Sequence, residues 1–293
     1  MGTRIEVQLW HADAAAAEKL INESMAEFDR IEDAMSTYRS DSEITHINNT
    51  AAVKPVRVST ELFDLIDRAL QLSVKTEGAF DITFDSVGQL YDYRLNARPS
   101  EAEIENRLTT VNFGYVQLTP ETSVIRYTRP GVRINLGGIA KGYAVESVIA
   151  LLRKAGVQHA MAAAGGDTRL LGKRGENPWI VGIRDPDQED GFVTRLALDD
   201  EAVSTSGDYE RFFIEDGQRY HHILDPSTGR SAGELRSVTV IGPDATMTDG
   251  LSTSVFVLGA KAGLALIESL ADYEAVIVDK EHRVVFSAGL DPR

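Results

Sequence analysis

The sequence predicts an α+β protein built mostly from antiparallel sheet with packed helices. Three observations carry that reading. Strand-like runs fill the second half, near 159–164, 168–172, 179–184, 192–198, 201–205, 209–215, 218–224 and 235–241. Asp216-Gly217 lies between two alternating runs, a pair suited to a two-residue hairpin turn. The helical periodicities cluster instead of being spread evenly among the strands.

Each element has a local reason. Residues 3–10 alternate as a strand. Asp13 precedes an alanine-rich helix to about Met35, with Leu20, Phe28, Ile31 and Met35 near helical spacing. Polar loops are expected through Asn48-Asn49. Ser59-Thr60 can cap a second helix carrying Leu62, Ile66, Ala69 and Ser73 on one side, and Gly78 suits its C′ position. Ser100 with Glu103 is a capping box for a short helix to Leu108. Strand-like runs follow near 115–119, 123–128 and 131–136, and a helix from Ile139 to Ala155 ends at Gly156. Two helices near 246–257 and 260–270 precede two last strands, Ala275–Val278 and Arg283–Ser287. Neither a long linker nor a short-period repeat interrupts the chain, so residues 1–293 are read as one domain, with two halves that can share a cleft.

Composition narrows the partners. The 45 acidic and 30 basic residues give a net charge of -15 without a cationic tract, which speaks against nucleic acid and an anionic membrane face. A hydrophobic content of 43% excludes global disorder. The absence of cysteine removes disulfides, thiolate metal sites and cysteine nucleophiles together. Because no apolar run reaches the roughly 18–20 residues that span a bilayer, no transmembrane segment is expected. The most apolar stretch, Leu251 to Ile267, is broken by Lys261 and glycines. No charged and apolar leader is present, so either the chain is cytosolic or an export signal preceded it. A myristoylation motif fails because position 6 is Glu6.

Five segments carry candidate chemistry. Asn135-Leu136-Gly137-Gly138-Ile139-Ala140-Lys141-Gly142-Tyr143 joins a strand to a helix start, where free N–H groups bind anions and Lys141 can neutralise a phosphate. Equally, it is a tight turn with a surface lysine. In Thr246 to Thr253, Asp249 and Thr253 stand four apart on one helix face and can hold a hard cation such as Mg²⁺. On their own they also read as an acidic residue favouring the helix start and a threonine bonded to a carbonyl. His221-His222, ahead of the turn Asp225-Pro226-Ser227-Thr228-Gly229, offers a general base or a half-buried structural histidine. Their side chains point to opposite faces, so they cannot easily share one metal. Ser204-Thr205-Ser206 puts small hydroxyls where a flat aromatic ligand could lie, or marks a plain strand end, and Ala162 to Asp167 makes a side-chain-poor surface that suits a ligand approaching backbone or tight sheet packing. Tyr38 is an aromatic platform on a polar loop, and Asp81 follows an anchoring Phe80.

Taken in order, MGT, STYRSDSEI, GAFDIT, INLGGIAKGYAV, AAGGDTRLLG, VSTSGDYERFF, HHILDPSTGR and TDGLSTSVFVLG resemble the ApbE family of flavin transferases, from Met1 to Gly259. The resemblance implies two related sheet-and-helix halves around a central FAD cleft. It implies Mg²⁺-dependent transfer of the FMN half of FAD to a Thr or Ser hydroxyl of a target flavoprotein, with release of AMP. An FAD pyrophosphatase and a non-catalytic FAD binder are the alternatives. By the same resemblance Asp249, Thr253 and the carbonyl of Gly138 hold Mg²⁺. Met1, Tyr38, Ala79, Phe80, Asp81, Asn135, Lys141 and Leu224 contact FAD, with Ser204, Thr205 and Ser206 beside the flavin. His222 is the expected base, and Asp249 is grouped with it as essential to catalysis. Many members carry Asp where this chain has Asn135, Asp where it has Glu146, and an acid in some where it has Ser252. The family also implies a membrane redox complex as target, and a periplasmic lipoprotein on the inner membrane if an upstream signal was removed.

Overall fold

The structure is a computed structural model that describes residues 2–188 and 190–290. The expected FAD contact at Met1 lies outside the described residues. The chain forms two compact units. One comprises the described residues within Met1–Glu32, Ile139–Gly207 and Glu234–Arg293, the other Asp33–Gly138 and Asp208–Gly233.

The first unit is built on a seven-stranded sheet. Its order is Ile5–Leu9, Ala160–Ala164, Asp167–Leu171, Ala202–Gly207, Leu235–Gly242, Glu274–Asp279 and Val284–Phe286. Every neighbouring pair is antiparallel. Ala160, Ala162 and Ala164 alternate inward and are fully buried, as period-2 side-chain placement requires. Small residues here let the helix Ala140–Lys154 pack close on the sheet. A second helix, Ala245–Glu268, lies against the strands Ala202–Gly207 and Leu235–Gly242. It is long and apolar enough to cross a membrane. In this fold its Leu251, Val255 and Phe256 are core residues. The two helices expected near 246–257 and 260–270 are its two sides, separated by Gly259 at φ 78°. That left-handed backbone suits glycine, and a β-carbon there would meet the Glu234 carboxylate.

The second unit holds smaller antiparallel pieces. A three-stranded sheet runs Val56–Arg57, Val124–Tyr127, Val116–Thr119. The Asp216-Gly217 hairpin joins Phe212–Glu215 to Gln218–His221, with φ of 51° and 77° at the two turn residues. The capping box of Ser100 and Glu103 starts the helix Glu101–Leu108, whose Ile104 packs with Val87, Tyr91 and Leu224.

Three expectations need correction, all in the second unit. Residues 131–136 form no strand. Their backbone is satisfied by side chains instead: Asn48 donates to the Ile134 carbonyl and accepts from its N–H, at 2.9 and 2.8 Å. Ser86 Oγ accepts from Arg133 N at 3.0 Å. Residues 43–50, expected as loop, form the helix Glu43–Thr50, capped by Ser42 and burying Ile44 and Ile47. Gly78 stands one residue later than expected after its helix, because Glu77 takes the first left-handed position at φ 52°.

Candidate active site

In the first unit the Ala140–Lys154 and Ala245–Glu268 helices meet near their N-termini. Gly142 permits the approach: a β-carbon there would lie 2.1 Å from the Ala245 carbonyl oxygen and 2.7 Å from Asp249 Cβ. The contact is further tied by Glu146, whose carboxylate accepts from Ala245 N at 2.8 Å and Arg169 Nε at 3.2 Å. Both donors engage the one Glu146 oxygen. Gly142→Ala is therefore expected to cost about 2 kcal/mol or more through overpacking. A urea titration reads this; an unshifted midpoint would contradict it.

The meeting point holds three charges. Lys141 Nζ lies 2.6 Å from Asp167 Oδ2 and 3.3 Å from Asp249 Oδ1. Asp249 Oδ2 accepts from Gly142 N at 2.9 Å. Asp167 Oδ2 has no aligned hydrogen-bond donor, so its contact with the lysine is one of charge proximity. Burial disfavours the Lys141 charge, but Asp167 and then Asp249 outweigh it and raise the lysine above its usual range. Burial, reinforced by the charge of Asp167, pushes Asp249 up to about 7 against the opposing pull of Lys141. When both carboxylates are ionised they outnumber the one ammonium, and the surplus negative charge favours a further cation.

One helical turn after Asp249 stands Thr253, half-buried, with Oγ1 3.3 Å from Ser206 Oγ. Ser206 Oγ also meets Ser252 Oγ at 2.9 Å, and Ser204 Oγ meets Thr248 Oγ1 at 2.8 Å. Alternate strand residues thus face the helix, while Thr205 turns the other way to Thr239, at 2.8 Å. Ser204 is fully buried, so its side chain joins strand to helix. Hard oxygen donors without sulfur or imidazole fit Mg²⁺. Among the described residues no group of three His, Cys, Asp or Glu could hold a metal. Asp249 supplies one carboxylate, and Mg²⁺ takes one or two carboxylates and completes its shell with water and substrate phosphate.

In the second unit, Tyr38 is the most open of the candidates, 82% exposed. Asp81 is buried and engaged: it accepts from Thr83 N, Thr83 Oγ1 and Phe113 N at 2.7, 2.6 and 2.8 Å. Burial raises it and these three bonds oppose the rise. Phe80 is buried beside it, while Ala79 is half-buried. Asn135 is half-buried. Its Oδ1 accepts from Gly137 N at 2.8 Å, and its Nδ2 donates to Asp85 Oδ1 at 3.1 Å. Gly138 sits in the turn directly before Ile139. The two histidines separate as expected. His221 is buried with Nε2 2.7 Å from the Ala232 carbonyl oxygen. His222 is half-buried just past the strand end, its backbone N–H donating to the Arg211 carbonyl at 3.1 Å. Asp225 accepts from Ser227 N and Oγ, which fixes the following turn. Leu224 belongs to the core with its side chain.

Sequence reasoning missed Asp167 as a charged partner of Lys141, and Asp85 altogether. The only signal for Asp167 was an acidic residue entering an apolar strand, a place where a buried carboxylate needs a cation.

Comparison with known proteins identifies the family. The family model described as the ApbE family matches residues 1–277. The FAD:protein FMN transferase of Klebsiella pneumoniae is 32% identical over 292 residues, covering 98% of this chain and 90% of that protein. The FAD:protein FMN transferase of Vibrio cholerae is 34% identical over 278 residues, covering 92% and 82%. Among solved structures, the ApbE protein of Thermotoga maritima superposes with a TM-score of 0.91 at 33% identity, covering 98% of this chain and 94% of that one. The apo flavinyl transferase ApbE of Pseudomonas stutzeri gives 0.87 at 30%, covering 99% and 93%. Matched from residue 1 to 277 and alike in fold, this chain belongs to the ApbE family.

Proposed function

We propose that the chain transfers the FMN half of FAD onto a Thr or Ser hydroxyl of a target flavoprotein. The observation that carries this reading is the Lys141–Asp249–Gly142 constellation: a cation, a carboxylate and a helix N-terminus together, in a chain similar to FAD:protein FMN transferases. In the balanced step, the acceptor oxygen bonds to the FMN phosphorus and the P–O bond to the bridging oxygen breaks. AMP leaves with that oxygen, and His222 takes the hydroxyl proton.

Asp249, Thr253 and the Gly138 carbonyl would hold Mg²⁺. When bound, that ion supplies charge neutralisation at the pyrophosphate. Lys141 adds a fixed positive charge for the same anion, and N–H groups at the start of its helix add partial ones. Tyr38 offers its open ring to a flat heterocycle. The target is proposed to be a flavoprotein subunit of a membrane redox complex, met at the periplasmic face of the inner membrane by a lipid-anchored form of the enzyme. Family resemblance supports both points, and fractionation of cells expressing the full reading frame tests the location.

Chromatography of FAD, FMN and AMP tests the reaction. With Mg²⁺ and an acceptor protein, AMP is expected to accumulate without equivalent free FMN. EDTA should stop turnover and added Mg²⁺ restore it. Equal free FMN and AMP would mark a pyrophosphatase, and unchanged FAD a binding protein.

A further inference from the structure

We infer that Asp85 is a positioning residue for flavin binding, acting through Asn135. The inference rests on the flavin reading above. Asp85 opens the short helix Asp85–Gly88 and is only 5% exposed. Its two oxygens are divided: Oδ2 accepts from Arg133 Nε at 3.2 Å and Oδ1 from Asn135 Nδ2 at 3.1 Å.

This division determines how Asn135 sits. An ionised carboxylate only accepts hydrogen bonds, whereas a carboxamide has one donating and one accepting end. With Asp85 on one side, Nδ2 must face it, and Oδ1 is left for Gly137 N at 2.8 Å. The same nitrogen reaches Thr37 Oγ1 at 3.4 Å, and Asn135 N donates to the Ile82 carbonyl at 2.9 Å. Asp85 therefore fixes the half-buried Asn135 in a single orientation. Through it, Asp85 shapes the turn of Gly137 and Gly138. It also places a carboxylate, paired with Arg133, one hydrogen bond behind Asn135, a position where the chain itself lacks a carboxylate.

The network makes a prediction that a purely structural role does not. Asn135→Asp alone sets two acceptors face to face. Exchanging both residues, D85N with N135D, restores one donor facing one acceptor and still serves Gly137 N. FAD dissociation constants, from flavin fluorescence titration at fixed ionic strength, read the effect on variants shown to be folded by thermal melts. D85N is expected to weaken FAD binding by about tenfold, the scale of one lost charge-assisted hydrogen bond. N135D should weaken it by at least as much. The double exchange should bind more tightly than either single variant, within about threefold of wild type. If N135D does not fold, D85N and the double exchange carry the test. Wild-type affinity in D85N, or a double exchange no tighter than D85N, would overturn the assignment. A wild-type chain that binds no FAD would overturn the flavin reading first, and this inference with it.

Discussion

Asp249→Ala is expected to abolish Mg²⁺-dependent turnover while leaving the protein folded. The loss should reach about a thousandfold or more, since metal charge stabilisation contributes several kcal/mol and each tenfold is about 1.4 kcal/mol. FAD binding should weaken less, because Lys141 and Tyr38 remain. Burial raises the folded-state value of Asp249 to about 7, above its ordinary carboxylate range. At pH above that value the ionised side chain is a net cost to the folded state, and removing it does not forfeit a stabilising charge. Gly142 N and Lys141 lose a partner, but Lys141 keeps Asp167 at 2.6 Å. The thermal midpoint should thus move by only about 4 °C or less. A variant with wild-type turnover in Mg²⁺ would remove Asp249 from the metal site. One that loses turnover only because it unfolds would contradict the electrostatic account.

His222→Ala is expected to slow transfer by about 10²- to 10⁴-fold, the usual range for a general base. Raising the pH should recover part of the rate, because hydroxide then competes for the acceptor proton. FAD affinity should change little, so the effect belongs in kcat. His221 provides the internal contrast. Its Nε2 is committed to the Ala232 carbonyl at 2.7 Å and its ring is buried. His222 is instead half-buried at the strand end. An undiminished, pH-independent rate in His222→Ala would exclude the histidine from proton transfer.

Much of this architecture was legible because its causes are local. Alternation marked the strands of the seven-stranded sheet, Asp216-Gly217 the separate hairpin of the second unit, and Ser100 with Glu103 a capping box that forms as expected. Gly259 separates the two expected helices, with non-helical backbone at φ 78° between them. The misreadings arose where distant side chains decide. Residues 131–136 have strand-like alternation, yet Asn48 and Ser86 take their backbone bonds from 86 and 47 positions away. The helix Glu43–Thr50 is stabilised by a cap and two buried isoleucines in an otherwise polar run.

The same division applies to the candidate site. Asp249 and Thr253 share one helix, so their spacing was readable. Asp167 comes to Lys141 only through packing of the helix on the sheet, 26 positions along the chain, and Asp85 to Asn135 through a contact that spans 50. Ser204 and Ser206 were expected beside a flat ligand or at a plain strand end. Their hydroxyls instead meet Thr248, Ser252 and Thr253 on the helix, an arrangement set by packing of helix on sheet.

The most direct test of flavin transfer is covalent. The protein acceptor of the Vibrio cholerae FAD:protein FMN transferase would be incubated with this chain, FAD and Mg²⁺, then denatured and separated on a gel. Flavin fluorescence on the denatured acceptor, with a mass increase of one FMN less water, is the predicted result. It should vanish with EDTA and when the modified Thr or Ser is replaced by alanine. An acceptor without fluorescence, in a reaction where FAD is converted to free FMN and AMP, would contradict transfer.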